Sequence, residues 1–261
     1  MPLTPDEIER MAASLAAAHA SGRESREAAL HRLTGMADAE NIQEAMLRML
    51  ADAQVGYALG ASSPTTARLL GTNAPILAPL LRGSLLDDGS TYLLPQGTIG
   101  LGAGFCFVLG RPLEDVSDGP AGDRKATDAC IACHLELHIL GRRVPHGTPL
   151  NEWTATADLG LDVVHVLGPR VTDWRSIDLT STVIRVRLDG NAVTQGHGSD
   201  AFGAPVGAVA WTARWLVGRG RRIEAGELVT TGSLTGLVRV IPGQRVSADV
   251  EGVGAVTLNL I

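Results

Sequence analysis

One acidic residue, Glu136, has neighbours of the kinds that take part in proton chemistry. It lies between His134 and His138, and on a β-strand all three side chains would share one face. Burial raises the pKa of a carboxyl group, so we predict that Glu136 acts as a general acid or base near neutral pH. The alternative is a salt-bridged carboxylate, paired with Arg142 or Arg82. The histidines could titrate or bind a transition metal such as Zn²⁺, and solvent-facing or core histidines would give the same pattern.

A second group of candidate residues lies in a glycine-rich stretch, Gly196-His197-Gly198-Ser199-Asp200. Glycines let a backbone approach a ligand closely, and such a loop offers N–H groups and a hydroxyl to an anion. Gly198 and Ser199 are therefore candidate ligand contacts, and His197 is a candidate anion contact or proton shuttle. A plain glycine-rich hairpin loop is the alternative interpretation.

The composition excludes several classes of protein. The chain has 261 residues, of which 45% are hydrophobic, and this is enough apolar material for a folded core. A net charge of −6 argues against nucleic acid as a partner, and no apolar stretch approaches the ~20 residues of a membrane span. The acidic N-terminus does not resemble a secretory signal, and three cysteines suit a reducing compartment. We predict a cytoplasmic protein that binds a small molecule and neither nucleic acid nor a membrane.

Hydrophobic periodicity divides the chain into a helical first third and a region of short strands. Five helices are predicted: one begins at Thr4, one covers about residues 24–33, one begins near Asp38, one begins at Ser63-Pro64, and one covers about residues 206–217. The predicted strands cover residues 91–94, 105–109, 135–140, 162–167, 184–188, 228–231, 237–240, 245–250 and 255–260. This order of elements indicates an α+β fold.

Several motifs, taken together, point to a known family. They are the stretch at residues 196–200 with Gly203-Ala204-Pro205 and a helix after it, and the segments at residues 225–234, 250–254 and 107–111. The chain resembles the fumarylacetoacetate hydrolase superfamily from about residue 33 to its end. The order and spacing of the motifs are similar to those of the 2-keto-4-pentenoate hydratase and 4-oxalocrotonate decarboxylase branch.

The resemblance implies a fold and an assembly. The expected fold is the fumarylacetoacetate hydrolase-like mixed β-sheet roll, with an N-terminal helical segment at residues 1–72. A β-rich, catalytic-type domain would follow at residues 73–261, and the two would form one continuous structural unit. Since members of the family assemble into oligomers, the resemblance also implies a homo-oligomer.

The family's metal ligands are largely missing from this sequence. Members hold a divalent ion, usually Mg²⁺, with three carboxylates, of which two come from a Glu-x-Glu on one strand. Those two positions align with Gly102 and Gly104, and only the third acid is kept, as Glu136. One carboxylate does not hold Mg²⁺ tightly, because a hard cation needs several oxygen ligands. We predict no cofactor, with weak Mg²⁺ binding at Glu136 left open.

Three further residues are candidates for substrate contacts. The family's Lys-x-Gly-x-Ser/Thr segment reads Ala58-Leu59-Gly60-Ala61-Ser62, which keeps the hydroxyl of Ser62 and loses the lysine. Arg82 replaces an acid at the predicted pocket mouth and could hold a carboxylate with two hydrogen bonds, or could be a solvated surface residue. Thr231, in the second glycine-containing segment, could line the same pocket.

The resemblance and these departures predict a lyase with an altered site. Its substrate would be a small enolisable or unsaturated 2-oxo acid, or a related carbonyl compound, which it would hydrate or decarboxylate through an enolate without Mg²⁺. The alternatives are a non-catalytic scaffold or binding subunit of the same fold, and a Michael-type cyclase or isomerase. An orthodox Mg²⁺ hydratase that recruits Asp158 or Asp162 as ligands also stays open.

Overall fold

The part of the chain that the structure describes contains six α-helices and twelve β-strands. The computed structural model describes residues 2–72, 74–114 and 116–261. The helices are α1 Pro5–Ser21, α2 Met36–Leu50, α3 Pro64–Leu70, α4 Pro120–Ala129, α5 Glu152–Ala157 and α6 Gly207–Val217. The strands are β1 Gln54–Gly60, β2 Ile76–Leu81, β3 Leu85–Asp87, β4 Thr91–Tyr92, β5 Thr98–Leu109, β6 Cys130–Gly141, β7 Asp162–Arg170, β8 Val183–Leu188, β9 Asn191–His197, β10 Leu228–Thr230, β11 Arg245–Val250 and β12 Gly254–Leu260.

The strands form two sheets. Seven strands are ordered β2-β1-β10-β5-β6-β7-β3, and five are ordered β4-β12-β11-β8-β9. Strand β1 from the N-terminal segment pairs in parallel with β10 from the C-terminal part. The helical N-terminus and the β-rich remainder therefore share one sheet, and the predicted α+β class is confirmed.

The main core lies between the two sheets. Phe105, Phe107 and Leu137 from the long strands β5 and β6 are fully buried in one cluster with Val246 and Leu258 of the five-stranded sheet. Burial of a large apolar side chain contributes roughly 1.5–3 kcal/mol. Because side chains alternate along a strand, the residues between these on β5 and β6 face the opposite side of the seven-stranded sheet.

A helical layer lies on the other side of the seven-stranded sheet. Helix α1 packs on α2, and α2 packs on α5. Their apolar residues form a second cluster that includes Leu81 of β2 and Leu159. The predicted start of α1 is confirmed, because Thr4 and Glu7 form a reciprocal capping box. Among the described residues, no helix is both long enough and apolar enough to cross a membrane.

Strands β1 and β2 lie where the periodicity predicts no strand. Nearly all of their residues are buried, and a strand that is buried on both faces lacks the polar–apolar alternation that identifies strands in a sequence. Two other predictions are wrong. Only a 3-10 helix at Ala28–Arg32 lies within residues 24–33, and Val238 forms an isolated bridge to Leu101 where a strand at 237–240 was expected.

Candidate active site

The pairing of three strands brings the candidate site together. Across β5 and β6, Gly104 lies opposite Glu136 and Gly102 lies opposite His138. Across β6 and β7, His138 lies opposite His165. These residues share the sheet face that points away from the main core, so an acid and two imidazoles are side by side on a rigid surface.

A small buried cavity adjoins this group. Its lining comes from β1, β2, β6, β7, the end of β10 and the segment after it, and includes Gly60, Ala78, His138, His165 and Gly232. Its volume is about 10 Å³, which is roughly the room that one water molecule needs. The cavity is closed on the helical side by Gly160, which precedes β7.

A chain of hydrogen bonds joins two carboxylates through one imidazole. Nδ1 of His165 bonds to Oε1 of Glu136, and Nε2 of His165 lies 2.6 Å from Oδ2 of Asp162. Burial on its own would lower the pKa of His165, but Asp162 and Glu136 outweigh it and raise that pKa to about 10. Without other ligands, His165 is therefore a cation between two anions.

The charge of Glu136 is set by the same contacts. Burial acts to raise the pKa of Glu136, yet His165 and His138 hold it below its usual value. The prediction that burial raises this pKa is therefore wrong, because an imidazole lies on each side of the carboxylate. The salt bridge weighed as the alternative does exist, with histidines in place of the expected arginines.

Four buried polar atoms around the cavity have no hydrogen-bond partner. They are Oγ of Ser62, Oε2 of Glu136, Nδ1 of His138 and Oγ1 of Thr230, and among the described residues only Nε1 of Trp174 shares this condition. A buried polar atom without a partner costs about 1–3 kcal/mol. Such atoms are uncommon in folded proteins, and four of them at one place indicate a site for a polar ligand.

The backbone around the cavity is strained. Ala61, Leu159 and Leu161 have φ values of 52°, 49° and 65°, a left-handed region that non-glycine residues seldom adopt. Gly160 between the two leucines also has a positive φ, of 69°. Strain of this kind costs about 1–3 kcal/mol per residue and is concentrated at functional sites.

The space beside Gly102 and Gly104 is filled by the segment that follows β10. A β-carbon on Gly102 would overlap Oγ of Ser233 and lie 2.9 Å from the carbonyl oxygen of Gly236. A β-carbon on Gly104 would overlap Oγ1 of Thr231. The family's two missing carboxylates thus have no room here. One carboxylate with two imidazoles does not fit Mg²⁺, which prefers oxygen ligands.

The same three side chains nevertheless could hold a metal ion of another kind. Glu136, His138 and His165 each offer one donor atom, and these atoms lie within 4.8 Å of one another. The prediction of no cofactor is therefore not supported, because these three residues have the donor types of a metal centre. Asp158, weighed as a recruited ligand, is instead paired with Arg143 at 2.8 Å, and Asp162 is bonded to His165.

Two of the residues predicted to contact substrate lie beside the cavity. Ser62 is buried, and a β-carbon on the cavity residue Gly232 would lie 2.6 Å from its hydroxyl oxygen. Thr231 is buried next to the lining residues Thr230 and Gly232, but its hydroxyl accepts from the backbone N–H of Phe105 and donates to a carbonyl oxygen. Ser62 thus has a free hydroxyl for a ligand, and the hydroxyl of Thr231 is already used.

Other predicted site residues lie apart from this cavity. Arg82 is exposed just after β2, and it does not line the cavity. His197 and Ser199 are exposed at the end of β9, an edge strand of the five-stranded sheet. Gly198 is buried, and a β-carbon there would overlap the carbonyl oxygen of Leu179. This glycine is thus explained by close backbone packing, and the structure does not bring the loop to Glu136.

His165 and Thr230 were not predicted from the sequence. Of the two histidines that flank Glu136 in the sequence, only one contacts it. His138 joins Glu136 as expected, with 3.6 Å between Nδ1 and Oε1. His134 instead bonds to the carbonyl oxygen of Gly168. A signal for His165 was present, because it is the polar residue inside the apolar run at residues 163–167 of β7. Its contact with Glu136 depends on strand register, which the sequence alone does not specify.

Two mixed sheets with a helical layer hold the buried group of Glu136, His138 and His165. Residues 72–260 match the family described as fumarylacetoacetate (FAA) hydrolase, C-terminal. The chain belongs to this family, and the predicted family membership and fold are confirmed.

Similar proteins carry the names of lyases. The chain is 28% identical over 260 residues to a 2-keto-4-pentenoate hydratase of Burkholderia vietnamiensis, covering 95% of each chain. It is 28% identical over 236 residues to a 2-hydroxyhexa-2,4-dienoate hydratase of Comamonas testosteroni, covering 85% of this chain and 84% of that one. The predicted kind of enzyme agrees with these names.

A solved structure shows the same fold over the whole chain. The 4-oxalocrotonate decarboxylase of Pseudomonas putida G7, complexed with magnesium and adipate, superimposes with a TM-score of 0.88 at 22% identity, covering 99% of both chains. The fumarylpyruvate hydrolase of Pseudomonas aeruginosa, complexed with Mn²⁺ and pyruvate, has a TM-score of 0.59 at 15% identity, covering 78% of this chain and 88% of that one.

Proposed function

We propose that the protein is a lyase that acts on a small enolisable or unsaturated 2-oxo acid through an enolate, without the family's Mg²⁺. One observation carries the proposal. Unpartnered hydroxyl, imidazole and carboxylate atoms surround one buried cavity beside the hydrogen-bonded chain of Glu136, His165 and Asp162. The names of the similar proteins support the reaction class.

The unpartnered hydroxyls suit the oxygens of a 2-oxo acid. Ser62 and Thr230 can each donate one hydrogen bond, and both are buried, where such a bond to a charged oxygen is worth about 1.5–3 kcal/mol. Donors fixed in place before the reaction stabilise the negative charge that develops on an enolate oxygen. Because the cavity of about 10 Å³ has room for roughly one water molecule, the segments around it would move apart to admit a 2-oxo acid, whose oxygens would then contact the two hydroxyls.

Glu136 is the group that would move the proton. Its Oε1 is held by His165, and its Oε2 has no partner. The lowered pKa of Glu136 keeps it ionised, so it can accept a proton from carbon and return it at another position. His165, fixed by Asp162, would orient the carboxylate and stabilise its charge.

Hydrogen–deuterium exchange tests this proposal without knowledge of the natural substrate. The protein is mixed in D₂O with a panel of 2-oxo acids and 2-oxo-alkenoates, and proton NMR follows exchange at the carbon next to the oxo group and any addition of water or loss of CO₂. We expect faster exchange than in buffer with at least one compound, and a loss of at least ~100-fold in Glu136→Gln.

The matched control is His134→Gln on the same strand, which should keep the wild-type rate because His134 contacts Gly168 and not Glu136. Binding of a 2-oxo acid with no exchange above buffer would reject the lyase and support a non-catalytic subunit of the same fold.

A further inference from the structure

We propose that Glu136, His138 and His165 form a binding site for a divalent transition-metal ion of the Zn²⁺ type, in place of the magnesium site that this chain has lost. The inference rests on the proposed function in one respect, because the ion would lie at the cavity that receives the 2-oxo acid. It concerns binding, however, and is tested separately from turnover.

The spacing of the donor atoms suits such an ion. Nδ1 of His138 lies 3.6 Å from Oε1 of Glu136. Two ligands that are each about 2.0–2.2 Å from Zn²⁺ in a tetrahedral site are separated by about 3.4 Å. The third donor, from His165, lies within 4.8 Å of both others. An ion bound among them would replace the hydrogen bond between Glu136 and His165.

Asp162 provides the support that a metal-binding histidine needs. Its Oδ2 atom lies 2.6 Å from Nε2 of His165. A histidine that ligates a metal through one ring nitrogen usually donates its other N–H to a carboxylate, which fixes the tautomer and the orientation of the ring. Here that arrangement leaves Nδ1 of His165 directed at Glu136.

The unpartnered atoms are a second and independent observation. Nδ1 of His138 and Oε2 of Glu136 have no partner, and both side chains are buried, with relative exposures of 2% and 0%. Buried polar atoms of this kind are normally satisfied by protein, water or an ion. A cation at the centre of the three donors would pair with Nδ1 of His138.

The donor types determine which ion fits. Imidazole nitrogen suits Zn²⁺ and other transition metals, whereas Mg²⁺ prefers oxygen ligands. A site with three carboxylates would be negative overall even with its ion. One carboxylate and two neutral imidazoles around a divalent ion leave the ligand set with one positive charge, which Asp162 behind His165 offsets. Such a site would still repel an anionic 2-oxo acid less than a site with three carboxylates.

Binding of Co²⁺, a spectroscopic substitute for Zn²⁺, tests the site. The full-length protein is treated with a chelator, dialysed, and titrated with Co²⁺ while its visible absorption is recorded. We expect about one ion per chain, with the intense visible bands of a low-coordinate site, and no displacement of Co²⁺ by excess Mg²⁺. The variants His138→Asn and His165→Asn should lose the bands, and Asp162→Asn should weaken binding about 10- to 100-fold.

The matched control is His134→Asn, which removes a histidine from the same strand but outside the cluster and should bind Co²⁺ as the wild type does. The proposal is overturned if Co²⁺ binds equally to the wild type and the His165→Asn variant, or if Mg²⁺ displaces it at a similar concentration. If the variants fail to fold, X-ray absorption of the Zn²⁺-loaded wild type tests the site instead. We expect two imidazole ligands on the ion, and a spectrum without them would contradict the proposed site.

The two proposals fail in different ways. Metal binding without turnover of any 2-oxo acid would reject the lyase and keep the metal site. Turnover of a 2-oxo acid by protein that does not bind Co²⁺ would reject the metal site and keep the lyase.

Discussion

Gly102 and Gly104 lie opposite His138 and Glu136 across paired strands, so they occupy the positions from which carboxylates would reach an ion held by Glu136. The space they leave is occupied by the segment after β10. Oγ of Ser233 donates to the carbonyl oxygen of Gly236 at 2.5 Å, close against Gly102. The loss of the acids is therefore built into the packing, and a single substitution would not restore them.

Substitution of Gly104 tests this packing. Gly104→Ala places a β-carbon onto Oγ1 of Thr231, which itself accepts a hydrogen bond from Phe105. We expect a loss of unfolding free energy of about 1–3 kcal/mol, the range for overpacked buried sites. Chemical denaturation provides the measurement. Gly35→Ala is the control, because a β-carbon there meets nothing within 4 Å, and an equal loss in both variants would contradict the packing argument.

Ser62 and Ser199 give opposite expectations for substrate binding. Ser62 has a buried, unpartnered hydroxyl beside the cavity, whereas Ser199 is exposed after β9. Ser62→Ala should weaken substrate binding by about 1.5–3 kcal/mol, the contribution of a hydrogen bond to a charged group, and thus raise KM at least about tenfold. Steady-state kinetics of both variants provide the test. A larger effect of Ser199→Ala would place the substrate at the glycine-rich loop instead.

At the scale of elements, the segment between α5 and β7 closes the cavity with a left-handed turn. Gly160 has a φ of 69°, and a β-carbon on it would lie 2.7 Å from Cβ of Ala78. Gly160→Ala should therefore destabilise the fold by roughly 2–3 kcal/mol, from backbone strain and a clash together. Gly190→Ala in the β8–β9 turn has strain but meets nothing within 4 Å. Thermal unfolding of the two variants should show the larger decrease in Tm for Gly160→Ala.

The elements that the sequence predicts well are those with local signals. The capping residues of α1 and α3, the Asp189-Gly190 hairpin and the apolar stripe of α6 all depend on neighbours within a few residues. The resemblance to a family supplies the overall fold and the position of Glu136. It cannot supply the contact between Glu136 and His165, because that contact depends on the pairing of β6 with β7, and a shift of one residue would turn His165 to the other face.

At the scale of the whole molecule, the helical layer affects how stability depends on pH. Burial lowers the pKa of His19 in α1 to about 4, with a further contribution from Arg143. The folded protein therefore keeps His19 neutral while the unfolded chain takes up a proton below about pH 6.5. Stability from this residue is present above pH 6.5 and is lost as the pH falls toward 4.

A His19→Gln variant isolates this effect. The lowered pKa of His19 corresponds to at most about 3 kcal/mol of unfolding free energy. Because the ring is partly exposed, solvent screening reduces this contribution to about 1 kcal/mol. We expect the difference in unfolding free energy between wild type and variant to change by this amount between pH 7 and pH 4.5, with the wild type losing more. Denaturation at both pH values measures it, and a constant difference would show that His19 titrates normally.

The dependence of turnover on Mg²⁺ tests most directly whether the cavity at Glu136 works without the ion used by its relatives. The wild type, prepared without added Mg²⁺, is assayed on its best 2-oxo acid over a wide range of Mg²⁺ concentrations, beside Glu136→Gln. We predict a rate that stays within about twofold at all concentrations and a Glu136→Gln variant that stays inactive throughout. A rate that rises from near zero and saturates with Mg²⁺ would contradict the loss of the magnesium site.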